Sequence, residues 1–385
     1  MRTFLWIYLA LALLIPGRPL YTILYFTGGV YLLTRISLQY ASRRLEVERE
    51  LSDGRIFLGE SITVTLRVKN PTGMPVPWLQ FIESRPQQMA SEPFCRIVTL
   101  GPNQTITDRY TLLGNKRGRY EVGGITLQAG DPFGWISYQE RRDETVRFTV
   151  YPKVSPLDDL GLPARLPMGD LATRRRLFED PAWLTGTREY VAGDSMRRIH
   201  WNATARTGEL MVKQFRHAML LPSCILLNLN RSDYGGRSYW MESELAISAA
   251  ASLGHYLVEQ KQQMGLVVAG VDPDVDAESR LVKLPLRQGR GAVVEMLEVL
   301  ARVSAAEEPV PFARAVVEEA QRLPWGTLLC VITPTETAEI AAACARIARS
   351  GQQVLLFVTD GGAGGRRSGY HVYGLTDLRG EVVVG

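Results

Sequence analysis

Along residues 225–359 short, wholly apolar runs alternate with longer amphipathic stretches, and this alternation restricts the fold more than any other feature of the sequence. Residues 225–229, 266–269, 328–332 and 354–359 are runs of the kind that is buried on both faces of a parallel sheet. Between them, residues 242–264, 291–303, 312–322 and 335–349 carry helical periodicity, with Leu245, Ala246, Ala249, Leu253 and Leu257 forming one apolar stripe. Strands that alternate with helices close into a parallel sheet with helices on both faces. Ligands in such sheets sit at the carboxyl ends of strands near the switch point, which directs attention to the loop over residues 230–237.

The N-terminus reads differently. Residues 3–15 and 20–34 are apolar runs separated by Pro16-Gly17-Arg18-Pro19. Each is short against the roughly 20 residues needed to cross about 30 Å of hydrocarbon. Snorkelling by Arg2, Arg18 and Arg35 extends their reach, and Trp6 and the tyrosines suit membrane interfaces. Residues 1–44 are therefore expected to form a transmembrane helix hairpin. A cleaved signal peptide is the competing reading, and no small-x-small cleavage site supports it. Arg35, Arg43 and Arg44 follow the second run, against Arg18 alone in the connection, so the expected location is the cell membrane with the globular domains cytoplasmic.

Over residues 45–151 the period becomes two, most clearly at residues 61–69, where Ile62, Val64, Leu66 and Val68 alternate with Thr63, Thr65 and Arg67. Further strands are read at residues 79–84, 96–100 and 145–151, with a turn at Asn70-Pro71-Thr72-Gly73, which together predict an all-β, immunoglobulin-like sandwich. Asn103-Gln104-Thr105 reads as a plain turn, and Asp131 to Trp135 as a compact turn with an aromatic plug. Residues 152–185, rich in Pro, Gly and charge and containing Arg174-Arg175-Arg176, read as a linker.

The remaining residues, 186–385, begin with the stretch GTREYVAGDSMRRIHWNATAR, which concentrates Arg188, Glu189, Tyr190, Asp194, Arg197, Trp201 and Arg206. Asp194 is placed to cap the free N–H groups of Ser195 to Arg197 at a helix start, and Gly208 to end that helix near Thr207. On that helix Arg197 and Trp201 share a face, and Arg188 and Arg206 are placed to meet Glu189 and Asp194 in an ion-pair network. The stretch is either a docking or anion-recognition surface or a self-neutralising structural network. His200 has no nucleophile nearby to make it a base.

Asn228, Asn230 and Ser232 place side-chain oxygens at alternate positions beyond a buried strand, the spacing for a hard cation such as magnesium. Two amides and a hydroxyl bring no negative charge, so Asp233 or Glu242 would have to supply it. A net charge of +4 over 385 residues falls short of the basic footprint of a nucleic-acid binder. Four scattered cysteines lack C-x-x-C spacing and give neither a zinc site nor a disulfide framework.

The string Arg188-Glu189-Tyr190, Gly193-Asp194, Arg197, Ile199, Trp201 and Ala205-Arg206 resembles the signature of the bacterial and archaeal family called domain of unknown function fifty-eight. Gly118-Arg119-Tyr120, Asp131-Pro132-Phe133-Gly134, Glu242 and Ala250-Ala251-Ser252-Leu253 extend the resemblance. It implies an α/β domain resembling von Willebrand factor A and a membrane-anchored protein working with a MoxR-type AAA ATPase, often beside a transglutaminase-like membrane protein. The metal-ion-dependent adhesion site of that fold uses Asp-x-Ser-x-Ser, and Asn228-x-Asn230-x-Ser232 departs from it at the first position. The expectation is thus a non-enzymatic interaction module. The rivals are a cation-dependent receptor, and an enzyme clamping an anionic substrate with Arg188, Arg197, Arg198 and Arg206.

Overall fold

The computed structural model describes residues 18–131, 136–163, 184–192, 194–215, 222–235, 239–275, 280–306, 308–361, 364–367 and 369–376. The chain is a mixed α/β, multidomain protein with several separate sheets, and it divides into two compact units at Lys153/Val154.

In the first unit, helix α1 (Arg18–Ser42) precedes strands β1 (Glu46–Leu51), β2 (Arg55–Phe57), β3 (Ser61–Lys69), β4 (Val76–Glu83), β5 (Phe94–Leu100), β6 (Thr105–Leu113), β7 (Gly118–Gly130) and β8 (Ser137–Tyr151). They form sheets of order β1-β3-β6 and β2-β8-β7-β4-β5. The alternation of β3 buries Ile62, Val64, Leu66 and Val68 completely. Leu66 and Val68 share a core with Leu79, Phe81, Ile125 and Leu127 of the second sheet, so the sheets close face to face.

A buried polar group ties the two sheets together. The Arg49 guanidinium pairs with Glu83, whose other oxygen accepts the Tyr110 hydroxyl at 2.9 Å, and Arg49 Nη1 donates to the Glu144 carbonyl at 3.0 Å. Burial, reinforced by the Glu83 charge, pushes the Tyr110 phenol far above its ordinary value. Asn103 adopts φ 54° in its turn, a conformation that asparagine tolerates. Of the turn read at Asp131 to Trp135, Asp131 alone is described, its Oδ1 accepting the Ile136 N–H at 2.6 Å.

α1 takes up the second apolar run and continues past Arg35 until Leu38 and Ala41 enter the sandwich core. Tyr25, Phe26 and Leu33 stand exposed on it. No described helix is long and apolar enough to cross a membrane. The transmembrane hairpin is therefore not supported: residues 3–15 lie outside the described residues, and in the second run Thr, Tyr and Gly dilute the apolar residues before Arg35 interrupts them.

The second unit opens with a segment that packs on its own domain: the Ser155 N–H donates to Ser252 Oγ at 3.0 Å, and Leu157, Leu160 and Leu162 are buried. Residues 164–183 of the expected linker, including Arg174 to Arg176, lie outside the described residues, and its last two, 184 and 185, lie in a strand. There follow β9 (Leu184–Glu189), α2 (Trp201–Thr207), β10 (Met211–Phe215), β11 (Ser223–Asn228), α3 (Tyr239–Glu259), β12 (Met264–Ala269), β13 (Leu281–Arg287), α4 (Arg290–Arg302), α5 (Phe312–Arg322), β14 (Leu328–Thr333), α6 (Ala338–Arg349), β15 (Gln353–Val358), β16 (Gly365–Arg366) and β17 (His371–Gly374).

The main sheet has the order β13-β12-β11-β14-β15-β17-β16. Its inner pairs are parallel, while β13 and β16 join antiparallel at the edges, which the expectation of a parallel sheet did not include. β13 carries Lys283, Pro285 and Arg287, residues that suit an edge strand and weaken its apolar signal. α5 and α6 cover one face around Phe312, Val316, Ile340 and Ile347. On the other face α3 and α4 approach so closely at Gly254 that a Cβ there would lie 2.4 Å from the Met296 thioether. The chain leaves β11 toward β12 on one side and returns to β14 on the other, so the switch point lies between β11 and β14.

Candidate functional site

The charged stretch folds as a ribbon. β9 and β10 pair antiparallel with Arg188 opposite Val212, and a tight turn at Met196–Arg198 and the short α2 close the far end. Ile199 bridges to Val212, and both are buried, which gives the ribbon an apolar centre. Arg188 grips Asp194 with two parallel bonds, Nη1 to Oδ2 and Nη2 to Oδ1, each 2.6 Å. Asp194 Oδ2 also accepts the Val191 N–H at 3.0 Å. These bonds, the Arg188 pairing foremost, hold the Asp194 carboxyl below its ordinary range.

The helix cap falls on a different residue from the one expected. With both oxygens of Asp194 engaged by Arg188, the helix starts later, at Trp201, and His200 Nδ1 accepts the Ala203 N–H at 3.1 Å. A cap acceptor at Nδ1 places the proton of the neutral ring on Nε2. Gly208 ends α2 in the left-handed region at φ 77°, donating to the Thr204 carbonyl at 2.9 Å, as expected. Arg197 lies in the preceding turn, so it does not share a helical face with Trp201.

The expected ion-pair network contracts to one pair. Among the described residues no ion pair joins Glu189, Arg197 or Arg206, all of which are exposed, and Tyr190 is held through its backbone N–H on the Leu210 carbonyl at 2.8 Å. Around this frame Val191 is 62% exposed, Met196 65%, Trp201 65% and Leu210 43%. Large apolar side chains thus stand in solvent on a rigidly closed ribbon.

The second group is at the switch point. Asn228 ends β11 and is fully buried; its Nδ2 donates to Asp233 Oδ2 at 2.8 Å and to Thr333 Oγ1 at 3.3 Å, while its Oδ1 accepts the Asn230 N–H at 3.0 Å. Asn230 Nδ2 donates to the Val310 carbonyl at 2.8 Å and to Asp233 Oδ2 at 3.2 Å, and its Oδ1 accepts the Val310 N–H at 3.0 Å. Ser232 Oγ donates to Asp233 Oδ1 at 3.0 Å. The buried Tyr234 hydroxyl donates to the Asn228 carbonyl at 2.6 Å.

These contacts decide the fit of a divalent cation. Each amide oxygen already accepts a backbone N–H, and both amide nitrogens face Asp233, so the asparagines turn donors rather than ligand oxygens toward that carboxylate. The donor set of Asn228, Asn230 and Ser232 does not fit magnesium. Beside this cluster a pocket of about 540 Å³ is lined by Ser232, Asp233, Val310, Phe312, Thr333, Thr335, Glu339 and Ile340, among others. Nothing local in the sequence announces the partnership of Asn230 with Val310, 80 residues away. The one readable signal was Asp233, the carboxylate next in line beyond the three polar positions.

Comparison with known proteins matches the ribbon and most of the main sheet to one family model. The model described as Protein of unknown function DUF58 matches residues 186–355. These residues match the DUF58 family. The uncharacterized protein YeaD of Bacillus subtilis is 20% identical over 289 residues, which is 73% of this chain and 67% of that protein. The uncharacterized protein Rv1480 of Mycobacterium tuberculosis is 27% identical over 138 residues, 36% of this chain and 41% of its own length. Among solved structures, an aerotolerance-related membrane protein from Bacteroides fragilis is 18% identical, with 41% of this chain and 82% of that one covered, at a TM-score of 0.27. That score is too low to define a shared architecture. The matched region thus contains both groups described above, the ribbon at its start and the switch-point cluster within it.

Proposed function

We propose that the chain is a membrane-anchored, non-enzymatic protein-interaction module whose globular units face the cytoplasm. In this reading the two-sheet unit is an immunoglobulin-like spacer and the region matching DUF58 a von Willebrand factor A-like docking domain. A MoxR-type AAA ATPase is its partner, with a transglutaminase-like membrane protein as neighbour. The observation that carries the proposal is the exposure of Trp201 on the ribbon, with Met196, Val191 and Leu210 also in solvent and Arg197 and Arg206 among them. Tryptophan and arginine are the residues that dominate interface energetics, and large apolar side chains exposed along one fixed frame suit a contact surface.

The alternative enzyme reading has less support. Arg188 is committed to Asp194, and a carboxylate held ionised by a bidentate guanidinium is poorly suited to transfer a proton near neutral pH. Co-purification from membranes tests the proposal. Full-length chain should recover an AAA ATPase, and Trp201→Ala together with Arg197→Ala should lose it. Equal recovery by the wild-type and doubly substituted chains removes the ribbon from the interaction.

A further inference from the structure

The switch-point cluster presents a carboxylate in the position where a metal-dependent site would present a cation. Asp233 accepts hydrogen bonds from Asn228, Asn230 and Ser232, which fix its carboxylate at the edge of the pocket of about 540 Å³. Pro309, Val310, Pro311, Phe312 and Ile340 supply apolar surface to the lining, and Thr333, Thr335 and Thr337 add hydroxyls. Glu339, in the first turn of α6, brings a second carboxylate to the rim. Among the described residues no lysine, arginine or histidine lines the space.

We propose that this pocket is a metal-independent receptor for an arginine or lysine side chain of a partner protein, seated with its charge on Asp233 and its aliphatic stem along Val310 and Phe312. The logic is one of sign. A site that holds a divalent cation completes its coordination with an acidic ligand. A site whose neutral polar groups orient a carboxylate, with no lysine, arginine or histidine in the lining, is completed by a base. The N-termini of α5 and α6 border the same space and favour negative charge. At α6 that field is answered from within, because Thr337 Oγ1 accepts the Ile340 N–H at 3.3 Å and Glu339 lies in the first turn, whereas α5 has no acidic residue in its first turn and no side-chain cap. The lining therefore carries two formal negative charges and no positive one. The pocket's volume suits one long side chain, and its apolar wall suits the methylene stem that arginine and lysine bring with their charge. The inference is independent of the ribbon, so its failure leaves the role of Trp201 untouched.

The test is a titration of full-length chain, methyl-labelled at isoleucine and valine, with N-acetyl-arginine amide, N-acetyl-glutamate amide and magnesium chloride in separate arms. The arginine amide should shift the Val310 and Ile340 methyl resonances saturably. Asp233→Asn should weaken that response at least about tenfold, the range of a charge-assisted hydrogen bond. Glu339→Gln, in an exposed first turn, should weaken it about threefold and reads the same pocket if Asp233→Asn does not fold. Saturable shifts with magnesium alone, equal binding of the glutamate amide, or no saturation at millimolar arginine amide would each overturn the proposal.

Discussion

Arg188 and Asp194, six residues apart, close the ribbon through two parallel bonds of 2.6 Å, and this pairing dictates where the following helix starts. Asp194 is held below the ordinary carboxylate range, chiefly by Arg188. A depressed folded value means that its contribution is complete above the ordinary carboxylate value and disappears as pH falls through the lowered one. Amide hydrogen exchange reads this at Val191, whose N–H is bonded to Asp194. Its protection factor should fall on acidification below pH ~4. Asp194→Asn should show low protection at every pH, and Arg188→Lys, which gives up the fork, should fall between.

Trp201 and Ile199 lie two residues apart and differ in exposure, 65% against 3%. Trp201→Ala should therefore leave stability within about 0.5 kcal/mol, as for surface positions in general. Ile199→Ala empties the ribbon's centre against Val212 and should cost about 2 kcal/mol or more. Thermal unfolding with the ribbon's exchange as the local probe separates the two. A large loss with Trp201→Ala would show that it serves packing, and the docking surface would lose its main residue.

In the sandwich, Glu83 and Arg49 are a buried pair whose side chains are 0% and 6% exposed. Replacing one partner leaves the other as an uncompensated charge in the interior. Glu83→Gln should cost about 3–5 kcal/mol in urea unfolding. The Tyr110 hydroxyl, which donates to Glu83 at 2.9 Å, keeps an acceptor in the amide oxygen, so the loss reports on the Arg49 charge.

Much of the scaffold was legible because burial imposes a period. β3 is bounded at Ser61 and Lys69, and α5 at Phe312 and Arg322, where the alternation and the helical stripe end. β13 was not, since its Lys283, Pro285 and Arg287 reflect an edge position that is set by tertiary order. Within the site, the pairing of Arg188 with Asp194 was readable from proximity and opposite charge. The consequence, that Asp194 is then lost as a cap and His200 replaces it, depends on which acceptor wins a competition that no local pattern records. The same holds for Asn228 and Asn230. Their spacing suggests ligands, but the direction in which an amide points depends on Asp233 and on Val310, brought from far along the chain.

That amide direction can be tested by restoring the residue that a metal site would use. Asn228 is fully buried and its Nδ2 lies 2.8 Å from Asp233 Oδ2, so Asn228→Asp sets a buried carboxylate against the half-buried one of Asp233. One of the pair must then titrate well above the ordinary carboxylate range. A raised folded value reverses the sign found for Asp194: the penalty is full at neutral pH and shrinks as pH falls through the raised value. The variant should be about 3 kcal/mol less stable than wild type at pH ~7 and recover part of the loss near pH ~5. Millimolar magnesium should not rescue it, because Asn230 Oδ1 stays bonded to the Val310 N–H at 3.0 Å and the cation gains no third oxygen from the loop. Thermal unfolding at both pH values, with and without magnesium chloride, measures all three effects. A magnesium-dependent rise in midpoint would mean that the segment around Val310 releases Asn230 and that the loop retains a metal-binding geometry.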